Sequence, residues 1–366
     1  MNLALKELRR KPGRFATATV IITLIAILLM FLGSLLDGLI RSSTGAIRAQ
    51  DADAIVYSST AQASFPRSRI DADVRMQIEA LPGVDEVGGI GLVQLGARVP
   101  GNGPRDLANV ALFGYEIAPE GVPAPPPDGQ AYADEVLKAD NVEEGMTILL
   151  GPARTPVEVI GFVSDTSFNG QGGLWTSEAT WRTTLAENRP DAQLSEGVWQ
   201  ALVVVGDDDV ADQIDVASAG ATDSYTVDEA VNAIPGVESQ QGTFNQIIGV
   251  TIIVALVVIG LFFALLTVER LSLYGVLKAL GAKSLTIFGG LMVQAVAVTL
   301  IASTVAGILV VLLDLAIPPG SIPIFVSAGS ILSSAALLLL AAAVGCSFSL
   351  RRVLRVDPAS AIGTTG

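Results

Sequence analysis

Four long apolar stretches interrupt an otherwise mixed chain, and each is long enough to cross a membrane. They cover residues 15–40, 244–268, 285–313 and 323–350. Since about 20 helical residues span a hydrocarbon core of roughly 30 Å, this pattern predicts four transmembrane helices. The first stretch could instead be a signal peptide. It is longer than the usual apolar core of such peptides, however, and no small-residue cleavage motif follows closely, so we expect it to remain as a span.

A short basic stretch, residues 269–284, separates the second and third apolar runs. Its apolar side chains recur at the spacing of one helix face: Leu273, Val276, Leu277 and Leu280. This period predicts a short amphipathic helix, and Gly281 is typical of a helix end. The stripe has no predicted partner in the chain, so we expect it to dock onto another protein. By periodicity alone it could equally lie in the lipid headgroup layer.

Residues 41–243 have the mixed pattern of a folded α+β module. Alternating or short apolar runs predict strands at 53–58, 87–99, 107–114, 147–150, 157–163, 173–176 and 200–205. Helices are predicted at 71–80, 134–138, 177–185 and 227–232. The proline-rich stretch 121–129 predicts a turn, and a smaller lobe is expected to be inserted at about 101–189. The fold class is therefore four transmembrane α-helices with a large α+β extracytoplasmic domain between the first and second.

The distribution of charged residues indicates on which side of the membrane each segment lies. Residues 1–14, 269–284 and 351–366 together hold eleven basic and three acidic side chains, whereas 41–243 holds eleven basic and 31 acidic ones. Because basic loops stay in the cytoplasm, we expect both termini and the loop 269–284 to be cytoplasmic. The domain 41–243 and the short loop 314–322 then lie outside a multi-pass protein of the cell membrane.

Composition excludes several kinds of chemistry. The chain has 366 residues, a mean hydropathy of +0.56, no histidine and one cysteine, Cys346. Histidine-based catalysis and histidine metal sites are thereby removed, and the net charge of −14 argues against a nucleic-acid partner. The stretch 207–209 consists of three aspartates without the spaced ligands of a calcium loop, so we interpret it as a solvated turn. We interpret 170–173 (GQGG) as a flexible loop, and we expect no catalytic, metal or cofactor site in this chain.

One stretch is similar to the end of a nucleotide-binding P-loop but lacks the glycines that such a loop requires. Residues 281–284 end in Lys-Ser, but Ala282 and Leu277 stand where a P-loop requires glycine. We therefore expect ATP to be bound by a separate protein.

Three segments carry a resemblance to a known family. They are LALKELRRKPGRF at residues 3–15, ER-x4-GVLKALGAKS at 269–284 and RRVLRVDPASAI at 351–362. Together with the order of one span, a large external domain and three more spans, they resemble the MacB/FtsX-like permeases of ABC transporters across essentially the whole chain. In these permeases the loop helix is the coupling helix that contacts an ATPase subunit.

The resemblance implies a set of ATPase-coupling residues and a set of partners. The coupling residues are Glu269, Arg270, Leu273, Tyr274, Val276, Leu277, Lys278, Leu280 and Gly281. The chain would be a non-catalytic subunit of a two-fold homodimer, with two ATPase subunits that hold the ATP and Mg. Residues 1–14 could form an interfacial helix or a second ATPase contact. Small residues at 302–303 and 306–307 fit packing within the chain and a dimer face equally well.

Three further segments look like the DevC-type branch, which is associated with glycolipid export. They are RSSTGAIRAQDADAIVYS at 41–58, SFPRSRI at 64–70 and YGVLKALGA at 274–282. Tyr274 and Gln294 stand where the family often has acidic residues, which weakens assignment to its macrolide and lipoprotein branches.

This branch implies export of a lipid-like or hydrophobic substrate by mechanotransmission, with the first span as a long stalk that moves the external domain. Membrane lipids and an external envelope protein are the further partners expected. The alternative is an FtsX-like signalling subunit that drives an external cell-envelope enzyme without transporting a substrate.

Overall fold

The computed structural model describes residues 12–269, 271–317 and 322–354, so the predicted segments 1–14 and 351–366 lie largely outside the described residues. The helices are α1 (Pro12–Arg48), α2 (Ala72–Glu79), α3 (Glu178–Asn188), α4 (Val210–Ala217), α5 (Val227–Ala233), α6 (Val237–Glu269), α7 (Leu271–Ala279), α8 (Ser284–Ala316) and α9 (Ala328–Leu354). The strands are β1 (Ala54–Ser58), β2 (Val84–Arg98), β3 (Leu107–Tyr115), β4 (Gln130–Asp134), β5 (Thr147–Leu150), β6 (Thr155–Val163), β7 (Gly172–Thr176), β8 (Ala201–Gly206) and β9 (Thr222–Tyr225). These elements separate into two compact units, one of long helices and one formed by residues 38–241.

The helical unit contains the predicted spans. Four helices, α1, α6, α8 and α9, are long and apolar enough to cross a membrane. The helix α1 continues beyond the predicted span 15–40, since no proline interrupts the chain between Pro12 and Pro66. It ends at Arg48. The predicted loop 314–322 is shorter at its start, since α8 extends to Ala316. Residues 318–321 of that loop lie outside the described residues.

Glycines allow the spans to approach one another closely. A Cβ atom added to Gly345 of α9 would lie 2.8 Å from the carbonyl oxygen of Leu256 in α6, and one on Gly260 would lie 3.2 Å from the Gly345 oxygen. Such backbone contact is typical of small residues at helix crossings in membranes. On α8 the small residues Ala302, Ser303, Ala306 and Gly307 are all buried within the bundle. The position of a Cβ on Gly307 is 3.5 Å from Ile331 of α9, so this stretch packs within the chain.

The second unit contains one nine-stranded sheet with a familiar arrangement at one end. Strands β2, β8, β1 and β9 lie side by side in that order, and all three pairings are antiparallel. With α2 between β1 and β2, and α4 between β8 and β9, this part has the β-α-β-β-α-β connectivity of ferredoxin-like folds. Strand β1, near the start of this unit, and strands β8 and β9, near its end, thus belong to one small α+β sandwich.

The stretch between β2 and β8 closes a ring of strands. Strand β3 pairs with β2 on one side and with β7 on the other, and the order then continues through β4, β6 and β5 back to β2. The 15-residue β2 therefore belongs to both parts: residues 84–90 pair with β8, whereas residues 97–98 pair with β5. Residues 101–189 thus extend the same sheet rather than form a sheet of their own.

Both faces of the sheet are covered, which explains the nearly continuous apolar runs of β1, β3 and β8. On β8, Leu202 and Val204 belong to the core cluster that also contains Ile78 of α2 and Ile214 of α4. The alternate residues of the same strand face a second cluster, which includes Ala46 and Ile47 near the C-terminal end of α1 and Val237, the first residue of α6. The two ends of this unit therefore meet on one face of the sheet.

Most predicted elements of this unit are confirmed. The helix predicted at 134–138 is a 3-10 helix, Glu135–Asp140, and the Asp134 side chain caps its start by accepting a hydrogen bond from the Val136 amide. Helix α4 and strand β9 were not predicted. Residues 170–173 are not a free loop, since β7 begins at Gly172 and Gly170 donates a hydrogen bond to Ser42.

Candidate functional site

The loop between α6 and α8 forms the short helix that its period predicts. Helix α7 ends in a Schellman motif: the Ala282 amide donates to the Leu277 carbonyl at 2.9 Å and the Gly281 amide donates to the Lys278 carbonyl at 2.9 Å. Gly281 has φ of +93°, a conformation that favours glycine. The helix stop predicted at this residue is confirmed. The chain then enters α8, whose first amides bond to the Lys283 carbonyl.

One side of α7 packs against the spans. Tyr274 is buried in the core cluster of the helical unit, and Leu277 and Ala282 pack against that cluster. The prediction that the apolar stripe has no partner within the chain is therefore wrong for Leu277. The physical reason is that α7 is only nine residues long and joined to a span at both ends, so one of its faces must cover them.

The other side of α7 leaves two apolar residues uncovered. Val276 is 47% exposed and Leu280 is 79% exposed, and the Leu280 amide bonds to the Val276 carbonyl one turn earlier. Leu285, just after the turn, is also exposed. We call Val276 and Leu280 the exposed pair. Burying large apolar side chains is favourable, so such a pair fits a covering surface, either protein or lipid.

Of the remaining predicted coupling residues, the structure describes some and leaves out others. Arg270 lies outside the described residues, as does the side chain of Leu273. Glu269 is the last residue of α6, and Lys278 lies half-buried in the last turn of α7, where a cation favours the helix C-terminus. The structure therefore brings Val276, Leu280 and the Gly281 turn to the surface, and it directs Tyr274 and Leu277 to the spans.

The aspartate stretch considered as a calcium site has a structural role instead. The aspartates 207–209 form the turn before α4: the Asp207 amide donates to the Gly83 carbonyl, and the Asp207 carbonyl accepts the Val210 amide. Within residues 12–269, 271–317 and 322–354, no three His, Cys, Asp or Glu side chains are grouped so that they could hold a metal ion.

Comparison with known proteins gives a family match for the C-terminal part of the helical unit. Residues 245–358 match the family described as FtsX-like permease C-terminal. That range contains α7 and the exposed pair. The chain is also 21% identical over 365 residues to a hemin transport system permease protein, HrtB, of Staphylococcus epidermidis, with 99% of each chain covered. The chain thus has an FtsX-like permease domain and resembles ABC transporter permeases over its full length.

A second relative is also named as a permease. The permease is 28% identical over 372 residues to an uncharacterized ABC transporter permease of Mycobacterium bovis, with 98% of each chain covered. The periplasmic region of MacB from Actinobacillus actinomycetemcomitans aligns with 52% of this chain and 96% of its own, at 14% identity and a TM-score of 0.35. That TM-score is too low to support a conclusion.

Sequence reasoning missed a second set of residues in this permease. Ser42, Ser43 and Ala46 of α1 exchange backbone hydrogen bonds with residues 167–170 of the second unit. The signal in the sequence is faint: Arg41 and Arg48 are seven residues apart on one helix face, with Gly45 between them. Their partner, Asp165, is more than a hundred residues away, and nothing local points to it.

Proposed function

We propose that this permease couples ATP hydrolysis in a separate ATPase subunit to export of a lipid-like or hydrophobic substrate. The observation that carries the proposal is the exposed pair on α7, a helix fixed between two spans. Complete burial of a leucine contributes about 1.5–3 kcal/mol, so covering the exposed part of Leu280 is worth about 1–2.5 kcal/mol before ordering costs. Because about 1.4 kcal/mol corresponds to a tenfold change, this side chain alone matters to affinity.

The sequence of the spans supports a hydrophobic substrate rather than an ion. Residues 15–36, 239–268, 284–313 and 322–350 contain no Asp, Glu, Lys or Arg. Ion pathways through membranes are marked by such residues. One relative is named for hemin transport, and hemin belongs to the class of hydrophobic substrates. Because this chain contains no histidine, it could not bind the hemin iron through a histidine side chain.

The proposed assembly is a two-fold dimer of this permease with two ATPase subunits, which hold the ATP and Mg. The basic flanks support a cytoplasmic location for both termini and for α7, on the side of the proposed ATPase. The acidic residues 41–243 then lie outside, next to membrane lipids or an envelope partner. In the proposed mechanism, closure of the ATPases moves α7, and α1 carries the movement to the external unit. Its 37 residues correspond to about 55 Å of helix, more than a bilayer core.

The test is a comparison of what copurifies with three versions of the tagged chain from its native membrane in mild detergent. The variant Leu280→Arg places a charge in the proposed contact. The matched control is Leu107→Arg, because Leu107 is a leucine on β3 of the second unit that is 44% exposed. An ATPase subunit is expected with the native chain and with the control, and its recovery is expected to fall at least about tenfold with Leu280→Arg.

Two results would contradict the proposal. If Leu280→Arg retains the ATPase as well as the native chain does, the exposed pair is covered by lipid rather than by protein. If the ATPase is retained but purified complexes in vesicles release neither lipid nor hemin to an acceptor when ATP is added, export is wrong. A stable external enzyme in the same preparation would then support the signalling alternative.

A further inference from the structure

The outer end of α1 is joined to the segment between β6 and β7 by main-chain contacts. We call this segment, residues 165–171, the joint segment. Three backbone hydrogen bonds connect the two: Ala46 N to Ser167 O at 3.1 Å, Asn169 N to Ser43 O at 3.1 Å, and Gly170 N to Ser42 O at 3.0 Å. All of these residues belong to the second unit. Because the bonds run between backbones, they cannot be lost through side-chain rotation.

A glycine permits this close approach. A Cβ atom added to Gly45 would lie 2.6 Å from the Asp165 carbonyl oxygen and 2.9 Å from the Ser167 carbonyl oxygen. Both atoms are backbone, so neither can rotate away, and any larger residue would force the helix and the joint segment apart. Gly45 has no left-handed backbone conformation to satisfy, so its small size is the reason for glycine here.

Ion pairs border the contact. The carboxylate of Asp165 bonds to Arg41 at 2.6 Å and to Arg48 at 2.7 Å, two arginines that are seven residues apart and thus on one face of α1. All three side chains are partly exposed, so water screens the attraction. Their main effect is therefore to fix the rotation of α1 about its axis relative to the joint segment.

The other side of the joint segment is anchored at the end of β4 and by an aromatic cluster. The Asp134 carboxylate at the end of β4 is 1% exposed, and its Oδ2 accepts hydrogen bonds from Thr166 N at 2.7 Å, Thr166 Oγ1 at 2.8 Å and Ser167 Oγ at 3.3 Å. The Phe168 ring meets those of Phe65 and Phe113 edge to face, at 5.8 and 5.9 Å. The segment is thus held by a buried carboxylate and an aromatic cluster.

The two connections between this unit and the spans differ. A second contact holds the end of α1, since the Glu120 amide donates to the Ala49 carbonyl at 2.7 Å. Near the other end of the unit, α5 turns into α6 through Pro235 and Gly236, where Gly236 has φ of +96° and open space around its Cβ position. Helix α6 begins inside this unit, since Val237 is buried in the same cluster as the end of α1, and it continues into the spans.

We propose that the joint segment is the positioning element through which α1 moves the external unit, with Gly45, Asp165 and Asp134 as its determining residues. This inference rests on the mechanical function proposed above and assigns the step at which movement leaves the helix. A displacement or rotation of α1 reaches the strands through three backbone hydrogen bonds and the buried residues 166–168, which the Asp134 carboxylate and the aromatic cluster hold in turn.

The test uses the whole permease with its ATPase subunit in lipid nanodiscs. Hydrogen–deuterium exchange of β4 and β7 is measured without nucleotide and with ATP and vanadate, and the ATPase rate is measured in parallel. The decisive variant is Gly45→Ala. Its matched control is Gly33→Ala on the same helix, where the new Cβ would lie 3.8 Å from Ser334 Oγ, an ordinary contact. Both changes raise helix propensity equally, so only the clash differs.

The native protein and Gly33→Ala are expected to show a nucleotide-dependent change in exchange, and Gly45→Ala is expected to lose it while still hydrolysing ATP. A second variant, Asp165→Lys, opposes Arg41 and Arg48 and is expected to have the same effect, with recovery when Arg48→Glu is added. If the native protein responds and both Gly45→Ala and Asp165→Lys respond equally well, the joint is refuted while the proposed function stands. If the native protein itself shows no response, mechanical coupling fails, and the joint fails with it.

Discussion

Removal of the Asp134 side chain tests how firmly the joint segment is anchored. The carboxylate accepts four hydrogen bonds: from Val136 N at 3.0 Å, Thr166 N at 2.7 Å, Thr166 Oγ1 at 2.8 Å and Ser167 Oγ at 3.3 Å. In Asp134→Ala the two hydroxyls can rotate to other acceptors, but the buried Thr166 amide cannot. Each hydrogen bond to a charged group contributes about 1.5–3 kcal/mol, and an orphaned buried donor costs about 1–3 kcal/mol.

From these magnitudes we expect Asp134→Ala to lower the free energy of unfolding of the second unit by about 3–5 kcal/mol. In a domain of about 200 residues, 1 kcal/mol shifts the melting temperature by about 2–4 °C, so the expected decrease is about 6–20 °C. The assay is intrinsic tryptophan fluorescence of the whole permease in detergent. All three tryptophans of the chain, Trp175, Trp181 and Trp199, lie in residues 38–241, so the signal reports this unit alone.

The matched control is the adjacent residue. Glu135 pairs with Lys138 at 2.8 Å, and both side chains are exposed. Because surface ion pairs contribute about 0–1 kcal/mol, Glu135→Ala is expected to change the melting temperature by less than about 4 °C. Equal melting temperatures for the two variants would refute the reasoning, since burial of the carboxylate would then have no energetic consequence.

Three further predictions concern other parts of the molecule. A Cβ on Gly91 would lie 2.0 Å from the Trp181 ring, so Gly91→Ala is expected to lower the melting temperature and shift the tryptophan emission to longer wavelength. Leu277→Arg is expected to reduce the yield of folded permease in size-exclusion chromatography, because Leu277 packs against the spans. Burial raises the pKa of Tyr57 and Tyr115 above 10.0, with Tyr225 and Tyr132 adding to the respective shifts. Since the folded state then retains protons that the unfolded state has lost, its melting temperature is expected to fall as pH rises above about 10.

Each of these has a control and a contradicting outcome. Gly161→Ala is the control for Gly91, because its Cβ would lie 3.4 Å from the Tyr132 ring and needs little adjustment; equal emission spectra would contradict the predicted clash. Leu280→Arg is the control for Leu277→Arg, and a similar loss of yield from both would mean that Leu280 is also buried. A melting temperature that stays constant from about pH 9 to 11.5 would contradict the raised pKa values.

Local patterns were sufficient for the spans and for most of the sheet. Gly281 was predicted as a helix stop because glycine accommodates a left-handed conformation, and the structure has it there. Strand β9 was missed because it is short and finds its partner, β1, far away in the sequence. Helix α4 was missed because its eight residues follow three aspartates and include Val216, which is exposed. Closure of the ring depends on β2 using both edges, which no local pattern encodes.

At the candidate site too, the sequence pattern predicted some features and missed others. Period alone placed Val276, Leu277 and Leu280 on one stripe, and only the three-dimensional structure separates Leu277, which packs on the spans, from the exposed pair. The joint segment was outside the reach of sequence reasoning, because Gly45 is informative only when the carbonyl groups opposite it are known. A glycine within an ordinary helix otherwise indicates only a small loss of helix propensity.

The pairing of β1 sets an order of events during synthesis of this protein. Its two neighbours are β8 and β9: Ala54 lies opposite Val204, and Ile55 lies opposite Tyr225. The strands of the ring pair within residues 84–176 and can form earlier, since nearby segments meet faster than distant ones. Strand β1 therefore has two unpaired edges until β8 has been made, about 150 residues later, and one unpaired edge until β9 follows. Unpaired edges attract other chains. The newly made protein is consequently most prone to aggregation after its first span has been inserted and before β9 has emerged.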